Sequence, residues 1–459
     1  MGMNSKKRRR LWAGVAAVGL VTGAWLKPTA QTPERDSYFE TLQAELKEHH
    51  IAHPVLLIDL DRVDDNLAEI RRVLRQDFKF RATTKSLPSY ELLEYVLAAM
   101  NSRRVMEFHG PFLRPLIERL VAAHPADPVS GLPAAPVGAP LDVLLGKPLP
   151  VSDLEGFLAG PPVPNNVTVR WLIDTPQRLE EYLEVARRQK TRLDIAFEID
   201  VGMHRGGLVD PATLRALLDR AQAEPEHFRV TGVMGYDGHV SHAPPLFRSV
   251  EGAQRAGFAD AMQRLSDFVV PLADRLAHPK GPDFVVNSGG SKTYPRYRDA
   301  HSLQAIGPAN ELAMGSAVLK PADFDDPVLA AHKPAVFIAE PVLKRLSPFQ
   351  LPFAETIGAL WRFWNPNRHD AVYVYSGGWS LRPVYPSGLF SNPFYNERPS
   401  DNRIPNQSLL NCSQAVPLQP GDFVFYRPLE SDALMQFDEI HVVRGGKLVG
   451  IWHPLPHRL

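Results

Sequence analysis

Lys85 has surroundings that suit covalent chemistry. It stands in Arg81-Ala-Thr-Thr-Lys85-Ser-Leu-Pro88, directly after a run from Phe78 to Thr84 that reads as a buried strand. Partial desolvation at a strand end lowers the pKa of an amine and makes it a usable nucleophile. In Asn287-Ser-Gly-Gly-Ser291, two glycines allow close backbone approach, and the Ser288 hydroxyl with nearby amide N–H groups suits a phosphate. Gly315-Ser316 is a second small-residue turn at an expected strand end. An amine nucleophile and two phosphate-holding turns on one face point to a phosphorylated aldehyde cofactor, pyridoxal 5'-phosphate. Glu198, Asp200, Arg205, Tyr236, His239 and Asn287 are further polar residues at expected strand ends.

These residues need a scaffold that gathers strand ends. Val55 to Leu60 reads as a compact apolar strand, and Asp64 to Leu74 repeats apolar residues at helical spacing. After Phe78–Thr84, a helix begins near Pro88. Leu141–Leu145 is a further strand in a stretch dense in Pro, Gly and Ala (124–165). The alternation resumes with strands at Val167–Ile173, Leu193–Val201, Phe228–Tyr236 and Phe284–Asn287. Helices lie between them at Pro176–Gln189, Pro211–Ala223 and Gly252–Ala277. Roughly eight β/α units before residue 320 favour a (β/α)8 TIM barrel over an open sheet. The expected barrel spans 50–325. Beyond it, short strands at Val336–Val342, Ala371–Tyr375, Asp422–Tyr426, Ile440–Val443 and Leu448–Trp452 mark an all-β domain over 326–459. The helix at 36–50 is a candidate addition to that domain. Residues 386–411 read as a long loop.

The 459 residues carry 51 bases and 51 acids, so a basic excess suited to nucleic acid is absent. The balance is uneven. Residues 1–30 hold six bases and no acid, which leaves 45 bases against 51 acids in the body. Lys6 to Arg10 followed by the uncharged run Leu11 to Leu26 reads as a signal peptide or a single N-terminal membrane anchor. The body is then expected to be exported, periplasmic or anchored outside the cytoplasm, and paired arginines permit a twin-arginine route. The one cysteine excludes an internal disulfide and any paired-cysteine metal cluster.

Six elements in order resemble the fold-type III pyridoxal-phosphate enzymes, in particular the D-threonine aldolase and D-serine dehydratase group with its alanine racemase-like N-terminal barrel. They are His53 to Asp61, Arg81 to Ser86, Asp194 to Gly207 (with Gly-Met-His-Arg205-Gly-Gly), Gly232 to His239, Val286 to Ser291 and Asn310 to Ser316. The resemblance implies that His53–Asp61 is the first barrel strand and that Lys85 forms the aldimine with the cofactor. Ser288, Gly289, Gly290, Gly315 and Ser316 would then hold its phosphate, with Asn287 beside them. Tyr236 and His239 would lie against the ring, and Arg205 would orient neighbouring groups, so that Lys85, His239 and Arg205 are the catalytic set. Aldolase or dehydratase (lyase) chemistry on small D- or 3-hydroxy amino acids is the implied activity. Racemisation and non-catalytic cofactor binding are the alternatives, and a homodimer is the implied assembly.

The chain departs from the pattern twice. Alanine racemases carry an arginine two residues before the last phosphate glycine, where this chain has Ala313. Metal-dependent members carry a His-x-Cys pair after a Gly-Asp-x-Val strand. Here Gly421-Asp-Phe-Val is followed by Glu430-Ser-Asp432, which reads either as a carboxylate pair for a harder divalent metal or as a solvated acidic turn.

Overall fold

The structure, a computed structural model, describes residues 27–74, 78–122, 126, 131, 134, 138–272, 275, 284–298, 308–376, 379–392 and 407–455. The basic, apolar leader up to residue 26, His457 and part of the 386–411 loop lie outside the described residues. The chain forms two compact units. One joins Leu56–Phe337 to Pro428–Leu459, and the other joins the N-terminal residues up to Val55 to Ile338–Arg427.

In the first unit, strand β1 (Val55–Asp59) is followed by eight parallel strands that close a barrel. These are β2 (Lys79–Thr83), β3 (Arg104–Glu107), β4 (Leu141–Leu145), β5 (Val167–Ile173), β6 (Leu193–Glu198), β7 (Phe228–Met234), β8 (Val285–Ser288) and β9 (Glu311–Met314). Closure is made by β2 against β9, with Phe80 opposite Leu312 and Ala82 opposite Met314. Helices on the outside bury an apolar stripe, as Val63, Leu67 and Ile70 do in Leu60–Val73. Their starts follow local chemistry. Thr175 and Asp210 cap the backbone N–H groups of Arg178 and Thr213, and each is followed by a proline at the first helical position.

The expected (β/α)8 barrel is present, with two staves assigned differently from the sequence reading. The Val55–Asp59 strand is not a stave. It pairs in parallel with Ile440–Arg444, with Leu56 opposite Ile440 and Asp59 opposite Val443. All five of its residues are buried, as in a stave, so composition could not separate the two roles. The missing stave is Arg104–Glu107, whose charged ends hide it from any apolar pattern.

Arg104 belongs to a polar layer inside the barrel, whereas Glu107 accepts from the N–H groups of Phe108 and His109. Arg81 of β2 is fully buried. Its Nε and Nη2 donate to the two Glu311 carboxylate oxygens at 2.5 and 2.9 Å, and Nη2 also reaches Asp142 at 2.8 Å. Arg170 holds Asp142 through Nη2 at 2.6 Å, Arg104 reaches Glu311 at 2.9 Å, and Asn287 donates to Glu311 at 2.9 Å. The three guanidinium groups hold the Asp142 carboxyl well below the usual carboxylate range despite its burial. Where most barrels pack branched aliphatic layers, this one ties six staves through charge.

The second unit is antiparallel. β10 (Val336–Leu346) pairs from Ile338 onward with β11 (Asp370–Tyr375) and with a strand at Phe423–Pro428; β11 pairs with a strand at Gln407–Cys412. Val342, Val372, Val374, Leu410, Cys412 and Val424 share its core. The helix Ser37–Glu48 belongs to this unit. Phe39 stacks on Tyr385 at 5.1 Å, and Lys47 pairs with Asp422 at 2.6 Å. Glu340 of β10 is fully buried, and burial pushes its carboxyl up to about 8, partly offset by the hydroxyls of Ser376 and Tyr426.

Replacing Arg81 with Met strands Glu311 beside an undersaturated Asp142 and is expected to cost about 3–5 kcal/mol in urea unfolding. Glu340 gives the opposite sign. The unfolded carboxyl ionises near pH ~4.3 while the folded one keeps its proton to about 8, so stability falls as pH rises through that window. Glu340→Gln removes this loss. Its Tm advantage over the parent should widen from about pH 5 to about pH 8, and a constant gap would contradict the assignment.

Candidate functional site

A cavity of about 650 Å³ opens where the barrel strands end, within the range of small-molecule sites. Lys85 stands in it on a one-turn helix, Thr84–Ser86, that follows β2 directly. Thr84 Oγ1 donates to the Met106 carbonyl at 2.9 Å and fixes that turn against β3. The Lys85 ammonium lies 5.0 Å from the centre of the Phe108 ring. Burial lowers its pKa, repulsion from Arg205 lowers it further, and Glu430 and Asp432 partly oppose the shift. The result is an amine that loses its proton more readily than a surface lysine.

Two small-residue turns meet in the lining of the same cavity. Gly289 has φ +77°, a conformation that glycine takes at no steric cost. Ser291 Oγ accepts from the N–H groups of Gly315 and Ala317 at 3.3 and 3.0 Å, which links the β8 turn to the β9 turn. Ser316 Oγ donates to Ser86 Oγ at 3.1 Å and so ties the β9 turn to the Lys85 element. A Cβ on Gly315 would stand 2.4 Å from Thr83 Oγ1 and 2.7 Å from Ser86 Cβ. Beneath the β8 turn lies Asp237, fully buried and pushed up to about 6 by that burial. It accepts from Thr293 Oγ1 at 2.7 Å and from Tyr297 at 2.9 Å, and the Tyr297 hydroxyl also lies 2.8 Å from Ser288 Oγ. This network joins the ends of β7 and β8 and sets the shape of the turn between Ser288 and Thr293.

Of the residues expected at the site, Lys85, Arg205, Tyr236, Asn287, Gly289, Gly290, Gly315 and Ser316 line the cavity, as do Glu430 and Asp432. Arg205 lies over the Tyr236 ring at 5.1 Å, and the Tyr236 ring packs under Gly290. Two residues do not reach it. His239 turns toward the Gly202 turn, its Nε2 3.0 Å from where a Cβ on Gly202 would stand. Ser288 is fully buried, and its hydroxyl donates to the Gly235 carbonyl at 2.9 Å. The sequence reading assigned no role to Phe108 and His109, which follow the unrecognised β3, or to Lys292 and Phe324. For Lys292 the signal was present, since it directly follows the glycine turn.

Residues 58–275 match the family model of the alanine racemase N-terminal domain. The matched stretch lies within the barrel unit and makes up just under half of the chain. Solved structures extend the likeness over both units. D-threonine aldolase from Filomicrobium marinum aligns with a TM-score of 0.62 at 18% identity, covering 89% of this chain and 98% of that one. D-threo-3-hydroxyaspartate dehydratase from Delftia sp. HT23 gives 0.57 at 16%, covering 88% and 97%. Alanine racemase from Bacillus anthracis gives 0.55 at 12%, covering 88% and 98%. No curated protein sequence matches. The fold is that of the fold-type III pyridoxal-phosphate enzymes.

The alanine racemase-type barrel implies pyridoxal phosphate, and the residues present fit it. A desolvated amine, aromatic walls from Phe108 and Tyr236, and two joined turns rich in N–H and hydroxyl groups surround one cavity. Ala313, in the position of the racemase arginine, lines the same cavity and offers the ring nitrogen no charge. A metal fits less well. Glu430 and Asp432 supply two carboxylates, and among the described residues no group of three His, Cys, Asp or Glu is placed to hold an ion.

Gly315→Ala drives a methyl group into both Thr83 and Ser86 and is expected to weaken pyridoxal-phosphate binding by roughly tenfold or more, about 1.4 kcal/mol. Equilibrium dialysis of the parent and the variant measures this directly.

Proposed function

We propose that this chain is a pyridoxal-phosphate-dependent enzyme acting on small D- or 3-hydroxy amino acids, with aldolase or dehydratase (lyase) chemistry. Lys85 carries the reading: an amine of lowered pKa at the end of the first stave, lining one cavity with two glycine turns. When bound, the cofactor supplies the aldehyde that captures amines and the conjugated ring that takes up electrons from the substrate Cα. The protein's own residues do the rest. Lys85 presents an amine that gives up its proton more readily than a surface lysine. The Gly289–Ser291 and Gly315–Ser316 turns would hold a phosphate, with Lys292 directly after the first of them. Tyr236 and Phe108 fix a flat ring between apolar faces and keep water from it. Arg205, over Tyr236, offers a charge to a substrate carboxylate.

D-threonine aldolase and D-threo-3-hydroxyaspartate dehydratase stand among the similar structures, which supports the lyase reading. Ala313 supports it too, since alanine racemases carry an arginine there. Export or anchoring by residues 1–30 and assembly as a homodimer are parts of the same proposal.

Reconstitution with pyridoxal phosphate should give a visible absorbance band. Borohydride should then fix the cofactor on the Lys85 peptide, as read by mass spectrometry. Lys85→Ala should lose the covalent label and all turnover on a panel of D- and 3-hydroxy amino acids. A label on any other lysine would sink this reading.

A further inference from the structure

The helix Glu355–Trp364 in the antiparallel unit presents its apolar side outward. It touches the unit's core through Gly358, which is buried, and Trp361, which is half-buried against Phe349, Leu351, Ala371 and Leu409. Ile357 (63%), Leu360 (65%), Phe363 (74%) and Trp364 (43%) are exposed, and Phe353 just before the helix is fully so (103%). Spacings of three, four and seven residues place these side chains on one continuous side of the helix. A soluble surface seldom gathers so many large apolar groups without a partner.

The chain itself shows what lies beside this face. The uncharged run Leu11 to Leu26 ends one residue before Lys27, and the Lys27 ammonium lies 4.4 Å from the centre of the Phe363 ring. The residues that follow are pinned. Asn367 Nδ2 donates to the Thr29 carbonyl at 2.8 Å, the Gln31 N–H donates to Asn367 Oδ1 at 2.7 Å, and Ser413 Oγ donates to the Gln31 carbonyl at 2.6 Å. The first described residue, Lys27, therefore stands at the edge of the exposed helix and directly follows the apolar run in sequence. Lys27 over Phe363, Arg362 in the last turn and Arg368 over the half-buried Trp361 add positive charge beside this face, a composition suited to anionic headgroups above an acyl layer.

We propose that the exposed side of the Glu355–Trp364 helix docks on a lipid membrane, held there by the apolar run that emerges beside it. Insertion of residues 11–26 brings Phe363 to the headgroup region, and Phe353, Ile357 and Leu360 enter with it. Among the described residues no helix is long and apolar enough to cross a membrane, so this contact is interfacial. The inference does not depend on the reaction catalysed in the barrel.

The lone cysteine makes the test clean. Cys412 is buried and its thiol is pushed up to about 11 by burial, so an introduced surface cysteine takes the label. The full chain carrying Ile357→Cys or Leu360→Cys is labelled with an environment-sensitive fluorophore. It is then added to vesicles of phosphatidylcholine and phosphatidylglycerol containing a nitroxide-bearing lipid. Glu184→Cys, on an exposed position of a barrel helix, is the control. Both helix labels should shift to the blue and lose emission to the lipid nitroxide, while the control does neither. Labels that stay in water with vesicles present would overturn the proposal. So would labels already blue-shifted without vesicles, which would show a second copy or residues 11–26 covering the face.

Discussion

A guanidinium at the centre of a barrel has to be paired, and in this molecule the pairing of Arg81 with Glu311 fixes much of what lies above it. Both side chains are fully buried. Burying an unpaired charge costs several kcal/mol, so neither residue can shift without the other. Arg81 is on the first stave and Glu311 on the last, so their bond spans the closure of the barrel. Asp142 and Arg170 carry the linkage to the fourth and fifth strands in chain order, β4 and β5, and Asn287 carries it to β8. Register slippage of any of these strands would break charge-assisted hydrogen bonds as well as apolar packing.

The site inherits this order. Lys85 stands four residues beyond Arg81, and the Gly315 turn stands four residues beyond Glu311. The charged pair therefore sets the height of the amine and of one glycine turn on the two sides of the closure. The second turn is reached through Asn287, which donates to Glu311 from below and lines the cavity above. Asp237 completes the frame with a proton-rich network of Thr293, Tyr297 and Ser288 instead of a second ion pair. Precision at the site thus comes from buried polar contacts, on the strands for the ion pairs and in the strand-end turns for the Asp237 and Ser291 networks.

Much of this was legible in the chain because strand ends and glycine turns have local signatures. Lys85, Asn287, Gly289, Gly290, Gly315 and Ser316 all stand at such ends, and all line the cavity. What failed did so for physical reasons. Arg104–Glu107 could not be seen as a stave because Arg104 answers to Glu311 and Asp142, partners more than 30 residues away, and Glu107 turns its carboxylate onto the N–H groups that follow it. Phe108 and His109 were missed with it. Val55–Asp59 looked like a stave because a strand buried on both faces reads the same in either sheet. His239 and Ser288 carry suitable side chains, but the Gly202 turn and the Gly235 carbonyl engage them away from the cavity.

The antiparallel unit is assembled from chain segments that are far apart in sequence. Lys47 and Asp422, which meet at 2.6 Å, are separated by 375 residues. At synthesis rates of roughly 5–20 residues per second, the helix Ser37–Glu48 waits about 20–75 s for its partner strand. During that interval Phe39, Leu42 and Leu46 have no core to enter. The barrel, by contrast, can close as soon as Glu311 has been made. Topology therefore lets the barrel frame close before the Ser37–Glu48 helix meets its partner strand.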